Sequence, residues 1–426
     1  MSKKYRVVIR AFTLRRDMGA AFLLKRCLES RGCQVMLTSV RDFERVVRHW
    51  KPHAIITNTK STVIPSKRLA PQAMCFYWPG EGGGEEYQYS CALKMKPEIF
   101  NACDYLLLWG KTPQTFFTDI YPEAVDKTII CGSPRLDTLK LCRDIIHNPE
   151  KKNSVGIVGK YELINHHEGF ATTTKLAKTE RLYKGVIRQV VSFYHIIKAI
   201  HVVLETTDLK VSIRPYPSED LNSYHKIIQK MQCGDRVEVD GTYLFGDWAA
   251  RQDFIISETS TSFLECYLLG IPAVSIDKII AKESQGMAHD WGTDISHESC
   301  YLPESFEDLS ALIQTELTPP PHSNDVETYL DEYHDWNSPF SANDRTAEVV
   351  VQKLNERSFG AKIHVPKKVL QFVDDLSVRR AMFRNPLHAN FNYCPSLHKE
   401  PAYFDQVISR IANTTSRGDV PQGGGA

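Results

Sequence analysis

The chain has 426 residues, 42% of them hydrophobic, and its 52 basic and 51 acidic side chains leave a formal net charge of +1. That length suits two domains of about 180 residues each, and the near-neutral balance removes any bulk electrostatic case for a nucleic-acid partner. The eleven cysteines are scattered, with no CxxC pair and no His/Cys set at zinc spacing, which leads us to expect reduced thiols and a cytoplasmic protein.

The N-terminus, Met1-Ser-Lys-Lys-Tyr-Arg6, runs directly into the strand Val7–Arg10 and lacks the apolar region of a signal peptide. Tyr5–Arg10 reads as the first strand. A helix over Met18–Ser30, closed by Gly32, follows it. Further strands are expected at Cys33–Thr38, Ala54–Thr57, Ala73–Trp78, Tyr105–Trp109 and Thr128–Cys131. Helices fit between most of them, so the first 150 residues predict a parallel sheet covered on both faces. A polar stretch from His147 to Ser154 marks a boundary. The pattern then restarts, with strands at Val155–Val158, Val211–Arg214, Val237–Val239, Phe254–Ile256 and Ala273–Ile276 and a long helix over Glu180–Leu204. The predicted fold class is therefore α/β: residues 1–150 and 151–320 form two facing Rossmann-like, doubly wound domains. Residues 321–412 are expected as helices packing back on the first domain, and 413–426 as a disordered tail. No apolar run is read as approaching the roughly 20 residues of a membrane span, so any contact with the inner membrane is expected to be peripheral.

Within the second domain, Ile256–Ile276 reads as strand, small-residue turn, helix, Gly stop, Pro, strand. Ser260, Thr261 and Ser262 offer hydroxyls and free backbone N–H groups at a helix N-terminus, and Ser262 with Glu265 is expected as a capping box. Such a turn at the carboxyl end of a parallel strand is where α/β folds bind phosphate, although a well-capped helix in any α/β protein looks the same. Arg214 ends a strand, and Pro215 and Pro217 stiffen the loop beyond it. There Arg214 can clamp a phosphate or carboxylate, or simply pair with Glu219 in a Pro-stiffened turn. In the first domain, Tyr77–Tyr87 brings Glu81, Glu85 and Glu86 together with three consecutive glycines, and transfer to a hydroxyl needs a carboxylate to take the proton. The other reading of that segment is a solvated turn. Asn165, His166 and His167 border the expected cleft. Neighbouring residues in extended chain point to opposite faces, so a metal is not expected there. Asp247 is a conceivable cleft carboxylate, and Lys278–Asp290 is read as a loop over the donor.

Four segments share a resemblance. Arg214-Pro-Tyr-Pro-Ser-Glu-Asp220, Cys131-Gly-Ser-Pro-Arg-Leu-Asp137, the Thr259–Pro272 helix segment and Arg15–Leu24 are similar, in order and spacing over about residues 5–280, to the bacterial surface carbohydrate biosynthesis proteins. These are GT-B glycosyltransferase-like enzymes related to β-Kdo transferases, and the chain also resembles bacterial sialyltransferases. Tyr216-Pro217 stands where those carry His-Pro, Thr261-Ser262 or Ser260-Thr261 where they carry Ser/Thr-Ser, and Gly80-Glu81 where two acids precede a glycine. The resemblance implies a metal-independent transfer of Kdo or a related ulosonic acid from a CMP-linked donor onto a glycan or glycolipid acceptor, without a further cofactor. It implies donor contacts at Arg214, Tyr216, Pro217, Ser218, Glu219, Ser260, Thr261, Ser262 and Glu265. Glu81 and Asp247 are the expected catalytic residues, and Asn165, His166, His167 and Arg135 are further cleft candidates. A retaining mechanism would add a nucleophile among Asp137, Asp247 and Glu258. The alternatives are a CDP-polyol phosphotransferase and an inactive polysaccharide-binding module.

Overall fold

The computed structural model of the chain describes residues 5–11, 13–79, 85–146, 153–167, 180–242, 244–258, 260–284, 294–319, 322–360, 364–385 and 391–415. Short apolar runs make the strands. Val7, Val8 and Ile9 of β1 (Arg6–Arg10) and Ile55 and Ile56 of β3 (Ala54–Thr57) are almost wholly buried, as strands covered on both faces must be. With β2 (Gln34–Thr38), β4 (Met74–Tyr77), β5 (Tyr105–Leu108) and β6 (Thr128–Ile130) they form a six-stranded sheet in the order β2-β1-β3-β4-β5-β6, and its recorded pairings are parallel. The helices between them are α1 (Leu14–Ser30), α2 (Phe43–Trp50), α3 (Val63–Leu69), α4 (Glu85–Leu93), α5 (Pro97–Ala102) and α6 (Lys111–Ile120).

After α7 (Pro134–Ile146) a second sheet begins with β7 (Ser154–Val158). Its order is β11-β10-β7-β8-β9, again with parallel pairings, from β8 (Lys210–Arg214), β9 (Val237–Val239), β10 (Phe254–Ser257) and β11 (Ala273–Ser275). The interleaved helices are α8 (Glu180–Thr206), α9 (Leu221–Met231), α10 (Phe245–Ala249), α11 (Ser262–Leu269), α12 (Asp277–Glu283), α13 (Asp294–His297) and α14 (Phe306–Ile313). Each sheet reverses its winding once, between β1 and β3 in the first and between β7 and β10 in the second. Ligands of open α/β sheets bind in the crevice outside the carboxyl ends at such points.

The last helices are α15 (Asn324–His334), α16 (Ala342–Asn355), α17 (Lys367–Arg384) and α18 (Phe404–Thr415). Ala347, Val350 and Leu354 of α16 and Phe404, Val407 and Ile411 of α18 join the core that covers β1 and α1. Leu370 of α17 packs among Val46, Val47 and Trp50 of α2.

All eleven expected strands occur within one residue of their expected ends. Three expectations need correction. Helix α1 starts at Leu14 instead of Met18, because the charged run Arg15-Arg16-Asp17 interrupts the apolar period but not the helix. The stretch Tyr183–Thr206 of α8, with a mean hydropathy of 1.3, is long and apolar enough to cross a membrane by length and composition. One side of it packs on the second sheet through Ile196, Ala199, Ile200 and Val203. Finally, Asp277–Glu283 is helical where a loop was expected; residues 285–290 of that loop lie outside the described residues.

Candidate functional site

Strand β8 delivers Arg214 to the carboxyl edge of the second sheet, and the side chain is only 6% exposed. Its guanidinium lies 5.8 Å from the ring centre of Phe245 and 5.5 Å from that of Trp248, and Nη1 donates to the Thr242 carbonyl. Trp248 is fully buried and donates to Ser212 Oγ at 3.0 Å, so it is a fixed platform for the arginine. Burial, and then the like charge of Arg15, lowers the Arg214 pKa from 12.5 to about 9, while Asp240 and Glu265 work the other way. This cation is crowded, and a bound anion would relieve the crowding.

Arg15 comes from the other domain. It stands in the first turn of α1 and reaches the Asp240 carbonyl beyond β9 at 3.4 Å. Burial lowers its pKa, and Asp240 and Glu219 oppose that shift. Beside it, Arg16 donates to Asp17 at 3.0 Å and bonds the Tyr216 side chain. Asp17 also accepts from the Thr13 N–H at 3.0 Å and from Asn58 at 2.9 Å, which ties the ends of β1 and β3 together. Arg251 adds a fourth guanidinium, donating to Asp240 at 3.1 Å and to Thr242 Oγ1 at 3.0 Å. Both domains therefore contribute cations around the Arg214–Asp220 loop. Arg15, Arg16, Asp240 and Arg251 were not among the residues expected at the site. The only signal was the doubled arginine at the head of α1, which the late helix start obscured.

The loop itself is braced from within. The Glu219 carboxylate accepts from the backbone N–H of Tyr161 at 2.7 Å and of Tyr216 at 3.2 Å, and from the Tyr224 hydroxyl. It is fully buried, and burial raises its pKa from 4.5 to about 7. Glu219 thus shapes the loop instead of presenting a carboxylate to a donor, contrary to expectation. Ser218 donates to Glu162 at 2.6 Å. Its carbonyl accepts from the His167 backbone N–H at 2.9 Å and lies 2.8 Å from His167 Nδ1. Asn165 accepts from the Asp220 N–H at 2.9 Å, and its side chain donates to the Asp220 carbonyl at 3.1 Å. His166 and His167 stack with ring centres 4.4 Å apart; the expectation of opposite faces fails because the chain turns there and bridges to Glu219. Tyr216 is half-buried with Lys160 5.0 Å from its ring centre, and Pro217 lies in the same turn. Among the described residues no group of three or more His, Cys, Asp and Glu side chains could hold a metal ion.

At the winding reversal of the second sheet, Ser260, Thr261 and Ser262 are half-buried at the head of α11. The Ser260 hydroxyl accepts from the Ser262 N–H at 3.1 Å. The expected capping box of Ser262 with Glu265 is not formed. Thr261 occupies the N-cap without a side-chain bond, and Glu265 Oε1 instead accepts from Arg135 at 2.8 and 2.7 Å. Glu265 and Arg135 therefore form a brace between α7 and α11. Asp137 is likewise engaged in bonds within the chain. Its carboxylate accepts from Ser341 at 2.8 Å and from the N–H and side chain of Asn343 at 3.1 and 2.8 Å, holding the head of α16. Asp247 is half-buried and accepts from Tyr403 at 2.7 Å. Burial raises its pKa, against the pull of Tyr403, Arg251 and Arg214. Glu258 is buried at 5% exposure, close enough to Tyr161 to raise the phenol's pKa after burial has done so. Gly80, Glu81 and Thr259 lie outside the described residues.

No protein-family model matches the sequence, and no curated protein is similar to it. Among solved structures, the wall teichoic acid polymerase TagF is similar at a TM-score of 0.50 and 10% identity, over 83% of this chain and 90% of that one. The UDP-GlcNAc 2-epimerase of Methanocaldococcus jannaschii, in complex with UDP-GlcNAc and UDP, follows at a TM-score of 0.46 and 10% identity, over 82% and 100%. That of Neisseria meningitidis, bound to UDP-GlcNAc, stands at 0.46 and 11%, over 83% and 100%. Identity this low speaks for the fold alone: with its two parallel sheets and facing winding reversals, the chain has a GT-B-like architecture.

Proposed function

We propose that this protein is a transferase acting on a nucleotide-activated donor, most specifically a CMP-linked ulosonic acid such as Kdo, and passing the sugar to a surface glycan or glycolipid. The observation that carries this reading is the meeting of Arg15 and Arg16 from one domain with Arg214 and Arg251 from the other. Four guanidiniums crowded at the strand ends of a two-domain cleft suit a phosphate-bearing ligand. The Ser260–Ser262 turn offers backbone N–H groups at the same edge of the second sheet. In this reading Arg214 and Tyr216 contact the donor phosphate or carboxylate, and the turn binds it from the other side. Glu81 takes the acceptor proton, and Asp247 is the second carboxylate of the cleft. Donor binding needs neither metal nor further cofactor, because the guanidiniums carry the compensating charge.

A CDP-polyol phosphotransferase is the second reading, supported by the same cationic cleft and by a fold shared with a teichoic acid polymerase. Melting curves with CMP-Kdo, CMP-sialic acid, CDP-glycerol and UDP-sugars separate the two. The cytidine-linked sugar acids should raise the midpoint, since a ligand of the folded state must stabilise it, and Arg214→Gln should abolish that rise. Glu81→Gln should keep the rise and lose turnover. Stabilisation by CDP-glycerol alone would move the assignment to polyol phosphate, and no response to any nucleotide would overturn both readings.

A further inference from the structure

Helix α17 carries two faces of different character. Leu370, Asp374, Val378 and Ala381 point inward, and Asp374 accepts from the Ser39 hydroxyl at 2.7 Å just past β2. On the opposite side Val369, Phe372, Leu376 and Phe383 are 50%, 64%, 51% and 92% exposed. Their spacing of three, four and seven residues keeps them on one stripe of the helix. Single exposed apolar residues are ordinary on a surface, but an aligned row is not.

The charges on this helix agree with the row. Its exposed charged residues are Lys368, Arg379, Arg380 and Arg384, all basic. Along the helix Arg379 and Arg380 stand between Leu376 and Phe383, one at each edge of the stripe, and Arg379 donates to Ser396 Oγ. Asp374 is buried, and burial together with Asp42 raises its pKa to about 7. Asp375 is partly buried and interacts with Cys394. Arg41, exposed at the head of α2, donates to Ser377 at 3.0 Å and extends the positive border.

We infer that the outer face of α17 docks on an anionic lipid bilayer, with Phe372, Leu376 and Phe383 entering the acyl boundary and the arginines meeting headgroup phosphates. A protein partner or a second copy would bury an apolar centre depleted of charge. Here the cations are interleaved with the apolar side chains, the pattern of a helix lying in the membrane interface. The face belongs to the first domain, the one assigned to the acceptor, so docking would hold that domain against the surface where a lipid-linked acceptor resides. This inference does not depend on the donor and would survive a different reading of the cleft.

Flotation of the full chain with phosphatidylglycerol vesicles, and separately with phosphatidylcholine vesicles, tests it. We expect capture by the anionic vesicles, weakened by salt, and little by the zwitterionic ones. Phe372→Ser with Phe383→Ser should weaken capture roughly tenfold or more. Arg380→Gln and Arg384→Gln should each cost roughly fivefold. All four side chains are exposed, so the variants should melt as the parent does. Failure to float, equal capture by both vesicle types, or a chain that dimerises until Phe372 and Phe383 are replaced would each overturn the inference.

Discussion

Glu219 shows how a residue inside a motif can serve the motif's shape instead of its ligand. Its pKa is raised from 4.5 to about 7 by burial. Between those two values the folded protein holds a proton that the unfolded chain has released. Stability contributed by this group therefore falls as pH climbs from about 4.5 to 7, with the full cost above that window. Glutamine can keep the two backbone bonds made to Oε1. In Glu219→Gln, the melting midpoint relative to the parent should thus rise steadily from pH 5 to pH 7.5, and a pH-independent offset would refute the assignment. His334 has the opposite sign. Burial and then Arg135 lower its pKa to about 3, so it loses stability as pH falls below its ordinary range. Neither role could be read from the sequence, because the burial of each depends on chain more than fifty residues away.

At the level of elements, the strands were legible and the braces were not. A parallel strand buried on both faces is written as an uninterrupted apolar run, and every strand end was found within a residue. The acids Asp137, Glu219 and Glu265 were read as site residues because they fall in the motif segments. Each instead bonds to another part of the chain. Asp137 is the plainest case, since three donors from Ser341 and Asn343 converge on it. Asp137→Ala should cost about 1–3 kcal/mol in urea unfolding by leaving the head of α16 unsatisfied. Asp137→Asn should keep transfer activity at a reduced stability. Loss of turnover at unchanged stability would return Asp137 to the chemistry.

For the molecule as a whole, the sequence carried the two-domain architecture but not the way the domains meet. Arg15 and Arg16 open the first helix, Arg214 and Arg251 lie some two hundred residues on, and only the packing of one domain on the other brings them together. The C-terminal helices matter at the same scale. Truncation after residue 320 would uncover the core that Ala347, Val350, Leu354, Phe404, Val407 and Ile411 complete over the first domain. Burial of six such side chains is worth several kcal/mol, comparable with the stability of a whole domain. The truncated chain should therefore lose its cooperative thermal transition, as followed by circular dichroism. A sharp transition at the parent's temperature would show that the first domain closes its own core.

The return of the chain has a mechanical consequence. It passes from the first sheet to the second between α7 and β7, and comes back along α15, whose Leu330 packs with Phe263 of the second domain and whose His334 carbonyl accepts from the Ser133 N–H of the first, to end on the first domain, where Tyr403 touches Asp247 of the second. Arg135 with Glu265, Arg15 with the Asp240 carbonyl and Tyr403 with Asp247 join the two domains away from the chain crossings as well. Any movement of one domain on the other has to break or carry these contacts, so the spacing of the domains is set by side chains that need never meet a substrate.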